Sequence, residues 1–309
     1  MNRVDLLAMC RVKDVSWHFI AREAQRPGGL ERLLSGTASE DSPQGRASLG
    51  LILDAREALW GYRDEVQSML QSADSEGYRL TTVLDDDYPV NLRTIYNLPP
   101  FLFYRGHLQP DDALSVAVVG TRQPTPQGVA RARRIASQLS RAGVTVLSGL
   151  ARGIDTAAHE ACLDQGGRTL AVLGSGIRRI YPKDNLGLAD RVAQSGAVVS
   201  QFWPDAAPTT YSFPRRNVVM SGMGQGTVVI EASVTSGAKM QARLAIEHGK
   251  QVFLLKSLVT EREWAKKYLQ RPGVREIEDV GSILQALRTP EEIFARARER
   301  SAQLALALG

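Results

Sequence analysis

The 309-residue sequence predicts an α/β protein: a doubly wound, mostly parallel sheet with a helical region ahead of it. Three observations carry that prediction. From Ser115 onward short β-branched runs alternate with helical stretches, as strands joined by helical crossovers do. The runs are mostly apolar and β-branched, Val144–Leu147 above all, the pattern of strands covered on both faces. Several end in a glycine turn that leads into a helix start. Val144–His159, VTVLSGLARGIDTAAH, shows this best: an apolar run, Ser148-Gly149, Arg152-Gly153, then Asp155 at the expected N-cap of an alanine-rich helix.

Residues 1–76 read as a helical accessory region. Leu6, Leu7, Met9 and Cys10, then Val15, Phe19 and Ile20, recur at helical spacing. Pro27-Gly28-Gly29 interrupts them, and Leu30, Leu33 and Leu34 open a short helix that stops near Gly36. Thr37–Gly45 is polar and reads as a linker or mobile loop, and Leu49–Leu70 as one longer helix carrying Leu53, Leu59 and Trp60. A small bundle accounts for this region better than a helix–turn–helix over residues 4–34. Residues 77–288 form the main domain. A strand over Leu80–Leu84, a short helix over Asn91–Tyr96 and a strand over Phe101–Tyr104 lead in. Asp85-Asp86-Asp87 between them reads as a solvated turn, because no histidine or spaced acid accompanies it to hold a metal. Strands then follow over Val116–Val119, Val144–Leu147, Thr169–Leu173, Ala197–Ser200, Gly226–Ile230 and Gln251–Leu255. Helices are expected over Gln127–Arg141, from Thr156, and over Gly237–His248. Past Leu255 the pattern is helical over Thr260–Gln270, extended over Gly273–Ile277 and helical over Val280–Leu287. Residues 289–309 form a C-terminal helix, announced by Thr289-Pro290-Glu291-Glu292: a cap, proline at N1 and acids in the first turn. Its apolar residues suit packing on the domain or on a second subunit.

Composition narrows the function classes. No apolar run reaches the roughly 18 residues of a membrane span, and Asp5, Arg11, Lys13 and Asp14 interrupt what would be a signal peptide. Cys10 and Cys162 lie far apart with no CxxC, so each reads as a buried reduced thiol and the chain as cytoplasmic, with no membrane partner. Residues 1–110 hold 12 Lys and Arg against 15 Asp and Glu, a balance of −3, whereas residues 111–309 stand at +8. A basic half points to an anionic partner, of which nucleic acid is the commonest; the plain alternative is a solvated basic face.

In open α/β sheets ligands bind outside the carboxyl ends of the strands. That rim carries Gly120-Thr121-Arg122, Ser148-Gly149 with Arg152, Lys183, and Arg215-Arg216-Asn217. Cationic side chains beside small residues that let the backbone come close make a phosphate site. Thr125-Pro126 starts the first crossover helix, and no acid follows through Arg133, so its positive end reads as open to an anion. A phosphate is therefore expected near Gly120–Arg122, with Asp155 ordering the adjacent loop. For Arg122 the competing reading is a surface salt bridge. Tyr181, Phe202, Trp203, Tyr211 and Phe213 are candidate stacking platforms, with core or loop packing as the alternative for each.

Other chemistries are excluded. GxxxxGK[ST] is absent, Gly174-Ser175-Gly176 lacks the third glycine of a dinucleotide fingerprint, and His159-Glu160 has no second histidine at zincin spacing. His18, His107, His159 and His248 are scattered, and His159 reads as packing beneath the site. No catalytic residue, metal site or cofactor is read.

Five ordered motifs carry a family resemblance. Gly120-Thr121-Arg122, Ser148–His159, Tyr181-Pro182-Lys183, Phe213-Pro214-Arg215-Arg216-Asn217 and Ser236-Gly237-Ala238 stand in the order found in one family, behind a similar lead-in of Asp87-Tyr88-Pro89 and Pro99-Pro100. The stretch from Val116 to Val252 resembles the Rossmann-like domain of the DNA-processing protein A family, also called DprA or Smf. That resemblance implies a non-enzymatic protein that binds single-stranded DNA without sequence preference and protects it or delivers it to a RecA-type recombinase in DNA uptake and recombination. By the same motifs Arg122 and Lys183 are implied as phosphate contacts, and Arg215, Arg216 and Asn217 as the rest of the groove.

Two departures bear on partners. Leu255–Trp264 stands where the family has a segment associated with dimerisation, and the family's small C-terminal winged helix is not recognisable. A homodimer is thus an open expectation. The alternative function is a nucleotide sensor or a phosphoribohydrolase of the lysine-decarboxylase-like (LOG) type, which Gly224-Gln225-Gly226-Thr227 followed by Glu231 resembles. Three residues separate Thr227 and Glu231 where that family has two, which in a strand turns the glutamate to the opposite face. Glu231 is then better read as a carboxylate that orders the site or pairs with Arg215 or Arg216.

Overall fold

The computed structural model describes residues 2–308, so Met1 and Gly309 of the expected terminal regions lie outside it. The chain forms two compact units, one of Met1–Tyr88, Tyr96–Leu102 and Arg296–Gly309, the other of Pro89–Ile95 and Phe103–Ala295.

The first unit is built from α1 (Arg3–Arg11), α2 (Trp17–Ala24), α3 (Gly29–Ser35), α4 (Pro43–Asp54), α5 (Ala58–Ala73) and the short strand β1 (Arg79–Thr82). Leu6, Leu7, Met9, Phe19, Ile20, Leu33, Ile52 and Val66 are wholly buried and form its core. The expected linker over Thr37–Gly45 is instead pinned to buried Glu23, whose carboxylate accepts the N–H groups of Ser39 and Glu40, each at 3.0 Å. Ser42 then caps α4, which starts at Pro43. The single helix expected over Leu49–Leu70 is two helices, because the Ala55 and Arg56 N–H groups close α4 onto Leu51 and Leu53 and α5 begins afresh. Leu59 faces the core while Trp60 is exposed. β1 ends at Thr82, earlier than expected, because Asp85 accepts the Thr82 N–H at 2.8 Å and its hydroxyl at 2.7 Å and turns the chain. Asp85 is thus structural, Asp87 accepts the Thr81 hydroxyl at 2.6 Å, and among the described residues no cluster of acids, histidines or cysteines is arranged to hold a metal.

The second unit is an α/β fold with a mixed, mostly parallel sheet. Its strands are β2 (Phe101–Gly106, of which Phe103–Gly106 lie in this unit), β3 (Ser115–Val119), β4 (Thr145–Ser148), β5 (Thr169–Val172), β6 (Ala197–Ser200), β7 (Gly226–Val229), β8 (Gln251–Leu255) and β9 (Val274–Ile277). They lie in the order β2-β6-β5-β4-β3-β7-β8-β9. Only β2 against β6 is antiparallel; every pairing from β6 to β9 is parallel. All residues of β3 to β7 are buried, so both faces of the sheet are covered. The helices are α6 (Pro126–Arg141), α7 (Ile154–Leu163), α8 (Leu186–Ser195), α9 (Ser212–Met223), α10 (Gly237–Glu247), α11 (Lys256–Glu261), α12 (Glu263–Tyr268), α13 (Gly281–Leu284) and α14 (Pro290–Leu308, of which Pro290–Ala295 lie in this unit). At the start of α14 Thr289 and Glu292 exchange reciprocal cap bonds, with Thr289 N–H to Glu292 Oε2 at 3.0 Å. The expectation for the apolar side chains near its end falls outside the described residues. No helix of the described residues is long and apolar enough to cross a membrane.

Candidate nucleic-acid interface

The turns after β3, β4 and β7 interlock. Thr121 donates its N–H to Glu231 O at 2.8 Å and accepts the Ile154 N–H at 3.3 Å, while Gly120 packs against Ile154. Gly153 turns between them at a φ of +82°, and a Cβ there would fall 2.6 Å from Thr121 O, so only glycine serves. Gly153 precedes the first residue of α7, which places Asp155 inside the first turn and not at the N-cap. The short turn Lys183–Asn185 joins the same group, since Asn185 donates to Leu150 O at 2.8 Å and to the Thr156 hydroxyl at 2.9 Å. Asn185 escaped the sequence reading, because its partner Leu150 lies 35 positions away.

Beneath these loops lies a polar floor. Arg216, on α9, is 6% exposed and donates through Nη1 to Gly149 O at 2.5 Å and Val172 O at 2.7 Å, and through Nε to Asn217 Oδ1 at 3.0 Å. Asn217 is equally buried and donates to Gly237 O. Ser148 is fully buried, its hydroxyl given to Val118 O at 2.7 Å. A Cβ on Gly149 would stand 2.0 Å from Arg216 Nη1, so the guanidinium fills the space a side chain would need. Arg216, Asn217, Ser148 and Gly149, expected to touch a ligand, are thus buried groups that hold the loops from below. Asp155 Oδ2 accepts the Gly149 N–H at 3.1 Å and the Ala151 N–H at 3.4 Å. Burial pushes its carboxyl pKa up, and the Arg216 charge opposes that rise. His159 is buried below, with Nδ1 2.7 Å from the Thr169 hydroxyl. Burial, helped by Arg216, lowers its pKa to about 3, so it is a neutral packing residue.

The exposed layer is made of different residues. The Arg122 guanidinium lies 5.2 Å from the centre of the Phe213 ring, and Phe213 meets the half-exposed Tyr181 ring at 5.9 Å. Arg215 lies 5.5 Å over Phe202. Lys183 follows Tyr181 by two positions and is exposed. Among the described residues no acid pairs with Arg122 or Lys183. Arg152 differs: its Nε and Nη2 both donate to Asp184 Oδ2, at 2.9 and 2.5 Å, so the expected free cation is neutralised.

The N-terminus of α6 is also not as expected. Glu231, at the end of β7, accepts the Thr125 N–H on Oε2 at 3.0 Å and the Thr125 hydroxyl on Oε1 at 2.5 Å, while Thr125 caps Gly128. An acid from 106 positions along the chain thus already neutralises the positive helix end. No anion is needed there, and the glutamate that a hydrolase reading requires has both oxygens engaged.

Residues 79–288 match the family model described as DNA recombination-mediator protein A. The chain is 40% identical over 174 residues to the DNA processing protein DprA of Streptococcus pneumoniae, across 56% of this chain and 61% of that protein. It thus spans about three fifths of that relative's length. The solved structure of DNA processing protein A from Streptococcus pneumoniae is similar with a TM-score of 0.74 and 26% identity, covering 93% of this chain and 99% of that one. DNA processing protein A from Helicobacter pylori, whose structure is described for its single-stranded DNA binding mode, is similar at TM-score 0.60 and 26% identity, over 67% of this chain and 94% of that one. A family model that spans most of the chain, and a common architecture at its back, place this protein in the DNA recombination-mediator protein A family.

Proposed function

We propose that this protein binds single-stranded DNA without sequence preference on the exposed layer formed by Arg122, Lys183, Arg215, Phe213 and Tyr181. The observation that carries the reading is the Arg122–Phe213–Tyr181 stack, which puts a cation and an aromatic face side by side. A phosphate suits the first and a base the second, and base stacking is sequence-tolerant because every base has a π-face. Among the described residues neither Arg122 nor Lys183 has an acid to compete with a phosphate. The relative from Helicobacter pylori, with its single-stranded DNA binding mode, supports the same ligand. Delivery of the strand to a RecA-type recombinase, a homodimer as the working form and a cytoplasmic site of action belong to this proposal, and family membership is what supports them. The Rossmann-like, doubly wound reading of the sheet also belongs here. It is supported by the strand order, in which β4 to β6 lie on one side of β3 and β7 to β9 on the other, leaving the ends of β3 and β7 at a switch point.

The test is an anisotropy titration with a labelled single strand at several salt concentrations. Wild-type affinity falls with log salt at a slope near −0.7 per phosphate contacted. Arg122→Ala with Lys183→Ala removes binding while circular dichroism stays native. Unchanged affinity in that variant ends the proposal.

A further inference from the structure

One charged surface is not used by the interface just described. α6 contains Arg131, Arg133, Arg134 and Arg141 and no acid at all. Its buried face is Gly128, Ala132, Ile135, Ala136 and Leu139. At 3.6 residues per turn, Arg131, Arg134 and Arg141 fall within roughly 80° of one another, on the side turned from that core. They form a row about 15 Å long at 1.5 Å per residue. The helix is capped by Thr125, three positions after Arg122, so the row runs away from the interface loops.

Neighbouring acids leave the row charged. Glu160 of α7 and Asp164, which caps its C-terminal end, hold Arg133, at 3.1 and 2.6 Å, and Asp164 also faces Arg191. Glu276, within β9, and Glu278, just past it, act on Lys256, Glu278 at 2.5 Å, and Asp279 accepts the Ser282 N–H. Arg134 donates to the Glu278 backbone oxygen, and Arg141 to the neutral amide of Gln165. Among the described residues no carboxylate pairs with Arg131, Arg134 or Arg141.

We infer that this row is a second backbone-binding track, which takes the phosphates of the strand as it leaves the interface loops. The inference rests on the single-strand reading proposed above. At about 3.4 Å per phosphate of a stacked strand, the row covers roughly four or five phosphates. It presents no aromatic platform, so it holds backbone and not bases, and adds affinity only for strands long enough to reach it.

Strand length provides the experiment. Oligothymidylates of about 6 and about 20 nucleotides, one near the lower end and one beyond the upper end of the roughly 4–16 nucleotides that single-strand binders cover, are titrated against the full chain at several salt concentrations. In Arg131→Gln/Arg134→Gln/Arg141→Gln the long strand loses affinity several-fold, and its log–log salt slope shrinks by about 2, at roughly 0.7 per phosphate contact. The short strand binds as before. Replacing the same three residues by Lys keeps the slope, which separates lost charge from a folding defect. An unchanged slope for the long strand, or an equal loss at both lengths, overturns the track. Failure of the wild type to bind either strand would overturn the single-strand reading itself.

Discussion

Arg122 and Arg216 have the same side chain and opposite duties, which burial decides. Arg122 is exposed against the Phe213 face, where a planar, weakly hydrated guanidinium stacks well. Arg216 is buried and committed to Gly149 and Val172, with Asp155 as its electrostatic counterweight. Removing one member of such a buried arrangement strands the others. Arg216→Ala is therefore expected to lower stability by about 3 kcal/mol, whereas Arg122→Ala changes it by less than about 0.5 kcal/mol and weakens strand binding instead. Urea unfolding beside the anisotropy titration distinguishes the two. Equal stability losses would mean that the floor and the exposed layer have been assigned the wrong way round.

At the scale of elements, the joint between β7 and α6 shows how a helix start is completed from afar. Glu231 gives its charge to the positive end of α6 and its oxygens to Thr125. Glu231→Ala should cost on the order of 1 kcal/mol, the usual worth of a cap or a charge at a helix end. A shift in the urea midpoint at constant slope reads it, and no shift at all would refute the capping role. The same joint marks the limit of the sequence. Thr125-Pro126 announces α6 plainly, because cap and proline preferences are local. The partner acid is set by the parallel pairing of β3 with β7, which no local pattern displays. The loop pinned to Glu23 and the break between α4 and α5 were hidden likewise: the loop reads as a linker until its buried acceptor is known, and the break contains neither glycine nor proline. Conversely, β3 to β8 were legible because strands buried on both faces read as nearly continuous apolar, β-branched runs.

For the whole molecule, the histidines predict how stability follows pH. His159 is buried neutral with its pKa lowered to about 3, and His248, 2.9 Å from the Ser221 hydroxyl, is lowered to about 4 by burial and then by the Lys250 charge. Both lie below the unfolded value near 6.5, so the unfolded chain takes up protons that the folded chain refuses. Stability from this source is complete above pH 6.5 and declines as the pH falls toward the folded pKa values. Between pH 6.5 and pH 5, His159 alone removes about 2 kcal/mol. Urea midpoints across that window should fall with acid, and His159→Gln should flatten the fall. A wild-type midpoint that does not move between pH 6.5 and pH 5 would show that His159 is protonated in the native fold.

Because every residue of β3 to β7 is enclosed while Arg122, Lys183 and Tyr181 sit on turns, the binding chemistry proposed for these three is carried by grafts on a closed scaffold. Exchanging those outer residues is expected to rewrite what the protein holds and to leave its architecture alone. The frontier is Gly149: one methyl group inward from there, an edit to the surface becomes an edit to the frame.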